Sequence, residues 1–338
     1  MTSTIDGDKS LQRRLAARHR AAWIDRTGLT VIQLTGADRI DLLHRLTTND
    51  LRNLQPGDGR QTVLLTDKAR IIDVVTLLHD DDSTLLIGSP NAGSDILQWV
   101  RKYVIMDDVR LKDLSDSIDA IEITGPRSAD IVEQLLQSPV STFAIAKWMR
   151  VDLADGQLLT IVRLPSACEV SYWIMGDNQA IAGVRDHLVS LAEDLPQLSD
   201  ADGEYLRVLA GMGMRGHEWT QAYNPLEAGL LHLTSFAKGC YIGQEVVARL
   251  DSYNKVKQRI MGLVSQRPLA EHDVVTADGN PIGVVTSVVR SCDDATWFAL
   301  AYVRGEHAHP GTAISFVNDG TTHTAELVLP PMMDESCR

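Results

Sequence analysis

A chain of 338 residues with 44% hydrophobic side chains is long enough for two or three domains, each with its own buried core. Its 45 acidic residues against 32 basic ones give a net charge of −13, with no extended basic stripe, which excludes nucleic-acid phosphate and an anionic membrane surface as main ligands. No apolar run approaches the length of a membrane span, and the polar stretch Met1 to Ser10 holds no apolar signal core.

The basic stretch Leu11 to Arg20 has the composition of a transit leader or of a surface helix; Asp6 and Asp8 before it favour the helix, because organelle leaders avoid acids. Leu29 to Leu34 reads as a strand ending at Thr35-Gly36, and Ile40, Leu43 and Leu46 then recur at helical spacing. After a turn at Pro56-Gly57-Asp58-Gly59, strands are expected at Val63 to Leu65, Ile71 to Leu78 and Thr84 to Ile87, then a helix over Asn91 to Val104. A second cycle echoes the first: Ile121-Glu122-Ile123-Thr124-Gly125-Pro126 repeats the strand and Thr-Gly step. Strands near Arg150 to Leu153, Leu158 to Arg163 and Ser171 to Met175 follow, with a helix over Gln179 to Leu191. Either the chain holds two tandem α+β lobes with a cleft where they meet, or these are two ordinary strand-to-helix turns.

From Gln258 to Leu329 the texture becomes short β-rich runs without helical period, separated by turns at Asp278-Gly279-Asn280-Pro281, His309-Pro310-Gly311 and Asn318-Asp319-Gly320. The expected organisation is α+β: residues 1–252 as two lobes, about 20–115 and 116–252, then an antiparallel β-barrel over 253–330 and a tail over 331–338. The four cysteines, at 168, 240, 292 and 337, include no Cys-x-x-Cys pair. They form neither a disulfide framework nor a zinc site, as suits a reducing cytoplasm. The histidines, among them His44, His217, His232 and His307, lack metal spacing, so no metal is expected.

The densest chemistry lies in Lys238-Gly239-Cys240-Tyr241-Ile242-Gly243-Gln244-Glu245-Val246-Val247-Ala248-Arg249. Gly239 and Gly243 flank a thiol-bearing turn and permit backbone angles denied to other residues. A helix starting after Gly243 puts Glu245 and Arg249 on one face. Lys238 and Arg249 can favour the Cys240 thiolate; the plainer alternative is a buried cysteine on a glycine turn beside a solvated ion pair.

This string resembles the signature of the YgfZ family of folate-binding proteins, relatives of the glycine cleavage T-protein, the aminomethyltransferase GcvT. The family pattern Lys-Gly-Cys-aromatic-x-Gly-Gln-Glu, followed by a small residue and an Arg, is met at every fixed position. Leu46-Thr47-Thr48-Asn49-Asp50 and Leu64 to Asp73 are similar to the family's N-terminal lobe. Tyr205-Leu206-Arg207 and Asn224-Pro225-Leu226-Glu227-Ala228-Gly229-Leu230 are similar to its central segments, and Gly283-x-x-Thr286-Ser287 and Ala299 to Arg304 to its barrel. The resemblance implies tandem lobes of the GcvT-like folate-binding fold, tetrahydrofolate or a folate derivative as ligand, and support of iron–sulfur enzymes or of cluster-assembly proteins.

It also implies roles for single residues. Glu169, in Ala167-Cys168-Glu169-Val170-Ser171-Tyr172-Trp173, matches the first Glu of the T-protein's pterin-binding strand, with Trp173 in place of the second; its alternative is a strand-start carboxylate facing water. Arg207 is a candidate for the folate tail or for a nearby lobe contact, and Leu209 replaces the Glu expected two residues later. Glu227 joins the folate-binding candidates, and His232 stands where T-proteins carry a cleft aromatic. The T-protein's Gly-Gly-x-x-Asp-Asp segment is Ala69-Arg70-Ile71-Ile72-Asp73-Val74 here, leaving Asp73 as the one candidate acid–base carboxylate beside Cys240. That loss sets the chain apart from glycine-cleavage transferases. A folate-dependent transferase or demethylase, and a fold that has lost its ligand, remain the competing expectations.

Overall fold

The computed structural model describes residues 2–153, 156–191, 194–253, 256–318 and 320–334. Its contacts divide it into two compact units: a sheet unit of Ala16–Leu198 with His232–Gln244, and a barrel unit of Met1–Leu15, Ser199–Leu231 and Glu245–Arg338. The expected turn residue Asp319 and the end of the tail, with Cys337, lie outside the described residues.

The chain opens with helix α1 (Thr2–His19), the helical alternative for the basic stretch, and strand β1 (Ala22–Asp25). Strand β2 (Thr30–Thr35), helix α2 (Arg39–Leu46), strands β3 (Gly59–Leu65), β4 (Ile71–His79) and β5 (Ser83–Gly88), helix α3 (Gly93–Arg101) and strand β6 (Arg110–Asp113) build the first lobe. The second repeats the plan with β7 (Ile118–Thr124), α4 (Ser128–Leu136), β8 (Trp148–Asp152), β9 (Leu158–Leu164), β10 (Ser171–Asp177) and α5 (Asn178–Ser190). Each lobe is a five-stranded antiparallel sheet, ordered β3-β4-β5-β2-β6 and β1-β7-β10-β9-β8.

Strand alternation sorts the side chains between two faces. Ile32, Leu34, Val75 and Leu77 meet Leu42, Leu43, Ile96 and Val100 from α2 and α3; Ile121, Ile123, Ile161 and Ile174 meet Val132, Ile181 and Leu188 from α4 and α5. The opposite faces of the two sheets pack on each other through Leu29, Val31, Leu78 and Ile87 against Ala120, Trp148, Val162 and Met175. This apolar layer corrects the expectation of a cleft along the meeting faces: at these positions the lobes meet as a packed core.

In the barrel unit, α6 (Asp200–Ala210) starts at a capping box in which Ser199 and Asp202 satisfy each other's backbone N–H, and it ends at left-handed Gly211. A 3₁₀ turn (Leu231–Leu233) and α7 (Gln244–Ser252) follow. The barrel strands are β11 (Gln258–Ser265), β12 (Val274–Ala277), β13 (Asn280–Arg290), β14 (Trp297–Arg304), β15 (Ala313–Asn318) and β16 (Thr321–Val328). They close in the order β11-β14-β13-β12-β15-β16, around Met261, Leu263, Val285, Ala301, Phe316 and Leu327. No helix falls between Gln258 and Leu329 among the described residues, as the β-rich texture requires.

Candidate functional site

The thiol stretch is divided between the units: Lys238 to Gln244 fold with the sheets and Glu245 to Arg249 with the barrel. Within the sheet unit the loop before and after Cys240 is tied down from both sides. The Thr48 hydroxyl donates to Leu233 O at 2.7 Å, and Ser235 N donates to Thr48 O at 2.9 Å. Lys238 is buried, and its ammonium donates to three carbonyls at the end of α2: His44 O at 2.5 Å, Thr47 O at 2.7 Å and Asn49 O at 2.7 Å. The last carbonyls of a helix lack intrahelical partners and carry its negative dipole end, so a lysine satisfies both needs. Ile242 N donates to Arg45 O, and Tyr241 is buried, 5.1 Å from the Lys238 ammonium by its ring centroid.

Between these ties Cys240 is exposed. That removes the buried-cysteine alternative, while the Lys238 donors serve backbone carbonyls. Burial draws the Lys238 ammonium down to about 7 and pushes the Tyr241 hydroxyl up to about 12. The glycines differ from expectation too. Gly243 is left-handed at φ 82°, and a Cβ there would lie 2.9 Å from Thr66 O, whereas Gly239 has no positive φ and open space around it. Gln244 accepts from Tyr241 N through its side chain. Glu245 and Arg249 share α7, and both are exposed.

The other cysteines separate clearly. Cys168 is buried, and burial, then the Glu122 carboxylate, push its thiol up to about 12. Cys292 is disulfide-bonded, which corrects the expectation that no disulfide forms.

Asp73 is fully buried on β4, its carboxylate accepting from Val74 N at 2.9 Å, Ser89 N at 2.9 Å and Ser89 Oγ at 2.6 Å. Glu169 is exposed and left-handed, at φ 61°, in the turn before β10. His232 is exposed in the 3₁₀ turn. In the barrel unit Glu227 is buried and accepts from Asn224 N at 3.1 Å. Arg207 donates to Glu204, Met212 O, Ser287 Oγ and Glu218, so its guanidinium joins α6 to β13.

Two buried carboxylates escaped the sequence reading. Glu218 accepts from Thr286 Oγ1 at 2.6 Å, Ser287 Oγ at 2.7 Å, Arg207 Nη1 at 3.0 Å and Met214 N at 3.1 Å. Glu122 accepts from Arg26 and Ser171. The available signal for Glu122 was a charge inside the apolar run Ala120-Ile121-Glu122-Ile123, where an unpaired carboxylate is seldom buried. A shallow cavity of about 220 Å³, bounded by Gly28, Thr30, Asn91, Gly93, Asp113 and Ser115, holds none of the expected site residues. Among the described residues no group of three or more His, Cys, Asp or Glu is placed to hold a metal ion, and no helix is long and apolar enough to cross a membrane.

The pattern of the GCVT N-terminal domain matches residues 8–238, and that of the glycine cleavage T-protein C-terminal barrel domain matches residues 258–334. The chain belongs to the glycine cleavage T-protein family. Among its relatives, a putative chloroplastic transferase of Arabidopsis thaliana is 29% identical over 85% of this chain, which spans 66% of that protein's length. An aminomethyltransferase of a Picosynechococcus species is 27% identical over 94% of this chain and 87% of its own. A probable aminomethyltransferase of Halobacterium salinarum is 26% identical over 98% and 92%. The crystal structure of the glycine cleavage system aminomethyltransferase T from Bartonella henselae superposes with a TM-score of 0.85 at 20% identity, over 96% of this chain and 90% of its own, which establishes the T-protein fold here.

Proposed function

We propose that this T-protein family member is a YgfZ-like, tetrahydrofolate-binding accessory protein that supports assembly, maintenance or repair of iron–sulfur enzymes. The observation that carries the reading is the Cys240 loop. An exposed thiol stands between a backbone-locking lysine and a glycine whose neighbours leave no room for a side chain. A loop held this firmly presents its thiol to a partner in one position, at little ordering cost. The proposed partners are a folate and iron–sulfur or cluster-assembly proteins, with neither nucleic acid nor membrane involved. A cytoplasmic location belongs to the proposal, and the Cys292 disulfide is the observation that counts against it.

The second reading, a folate-dependent aminomethyltransferase or demethylase, is favoured by the names of the relatives. It needs a carboxyl group within hydrogen-bond reach of the reacting nitrogen. Asp73, the one carboxylate left in that segment, is buried and held by Ser89. The two readings part in one assay: calorimetric titration with tetrahydrofolate, followed by incubation with candidate methyl- and aminomethyl-amines. Binding without methylene-folate or formaldehyde production supports the accessory protein; turnover with any of these amines supports the transferase.

A further inference from the structure

Three segments of the barrel unit converge on one turn. Cys292 sits in the turn between β13 and β14, half-buried and disulfide-bonded. Cys168 and Cys240 carry free thiols, so the sulfur bonded to Cys292 lies outside the described residues. The turn itself is pinned: Ser291 N donates to Thr296 O at 2.8 Å, and Ser291 Oγ accepts from Thr296 N at 2.8 Å. From α1, Arg14 brings Nη1 to 3.7 Å from Cys292 Sγ. Its guanidinium carbon lies 3.9 Å from the centre of the Tyr205 ring on α6, and its Nε donates to buried Asp202 at 2.9 Å. From the C-terminal segment, Asp334 accepts from Cys292 N at 3.1 Å and from the Tyr205 hydroxyl at 2.7 Å. The same segment is bonded to the end of α6, where Met332 N donates to Leu209 O at 2.6 Å, and Met332 is buried.

These contacts decide how the disulfide opens and what its opening sets free. A cation beside a sulfur stabilises its thiolate, and in thiol–disulfide exchange the sulfur with the more stable thiolate leaves faster. Arg14 gives Cys292 that advantage. The turn that carries Cys292 stays pinned by Ser291 when the bond breaks, so the side that gains freedom is the C-terminal segment.

We propose that the Cys292 disulfide is a reversible clasp: a protein dithiol opens it and frees the segment around Met332 and Asp334 from α6. One thiolate of the dithiol attacks the sulfur bonded to Cys292 and forms a mixed disulfide, while the Cys292 sulfur leaves as a thiolate and takes up a proton. The second thiol of the dithiol then closes its own disulfide and expels the other sulfur, which is protonated in turn. One disulfide is reduced, one dithiol is oxidised, and two protons pass from the dithiol to the two new thiols. The clasp is independent of folate binding and of Cys240.

The test exposes the folded full chain to dithiothreitol, then maps alkylated cysteines by mass spectrometry and follows amide hydrogen exchange. Cys292 is expected to alkylate in the folded chain. Exchange at the Met332 amide should quicken about tenfold, to the rate seen in Cys292→Ser, while the amides of β11 and β14 keep theirs. Tyr205→Phe removes one bond to Asp334, and contacts that hold the segment also hold the disulfide closed. It should therefore shift the balance toward the reduced form several-fold at a fixed ratio of reduced to oxidised dithiothreitol. A Cys292 that alkylates only after unfolding in urea makes the bond a permanent staple and overturns the proposal. Unchanged Met332 exchange after reduction, or an unshifted balance in Tyr205→Phe, overturns it as well. If Cys292→Ser does not fold, the reduced wild-type chain decides by the same readings.

Discussion

Lys238 and Cys240 show how a neighbour's backbone redirects side-chain chemistry. In the sequence a lysine two residues from a thiol reads as a thiolate promoter; in the fold its three donors all meet carbonyls at the end of α2. Lys238→Met should therefore cost about 2–3 kcal/mol in urea unfolding, because buried acceptors lose a charged donor. Cys240 should label well before buried Cys168, whose thiol is pushed up to about 12. An unchanged unfolding free energy in Lys238→Met would show that these carbonyl contacts do not hold the loop. The motif was legible at this scale because its residue types are contiguous. Glu122 and Glu218 were not, because their partners Arg26 and Ser171, or Thr286 and Arg207, lie far from them in the chain.

At the scale of elements, α2 and the loop docked on its end form a unit with a built-in acid sensitivity. His44 on α2 is buried; its Nδ1 accepts from Leu51 N at 3.3 Å, so the proton of the neutral ring sits on Nε2. Burial first, then the Lys238 ammonium, hold its pKa below 6.5. The unfolded chain thus binds a proton near pH 6.5 that the folded chain refuses, so stability from this group is complete above that pH and is lost as pH falls. His44→Gln should flatten the decline between pH 6.5 and 5 by up to about 1.4 kcal/mol per pH unit in urea titrations. Identical slopes in the two proteins would show that His44 does not report on this contact. The elements with clear periodicity, α2, β4, α5 and the long barrel strands, were legible within a few residues. Strand β1 was not: Ala22-Trp23-Ile24-Asp25 shows no alternation and pairs with β7, nearly a hundred residues away in sequence, in the other lobe's sheet. Strand β12, four residues long, carries too little pattern to stand out from its turns.

Across the whole molecule the Thr-Gly repeat at 35–36 and 124–125 marked the internal duplication correctly, since each copy closes the strand leading into a lobe helix. The sequence did not show that the meeting faces are filled by Leu29, Val31, Val162 and Met175, because strand alternation tells the two faces apart but not what covers each. Nor did it show that residues 199–231 group with the barrel, an arrangement made by Arg207 and Tyr302, both of which bond Glu218. The account joins a T-protein fold to a fixed, exposed thiol, and its central claim is that the thiol serves iron–sulfur enzymes. The decisive measurement is iron–sulfur enzyme activity in a deletion strain carrying either the wild-type chain or Cys240→Ala. Cys240→Ala should fold to within about 0.5 kcal/mol of wild type, as an exposed substitution does. The account predicts that the wild-type chain restores activity and that the equally abundant, folded Cys240→Ala chain does not; full restoration by Cys240→Ala would contradict it.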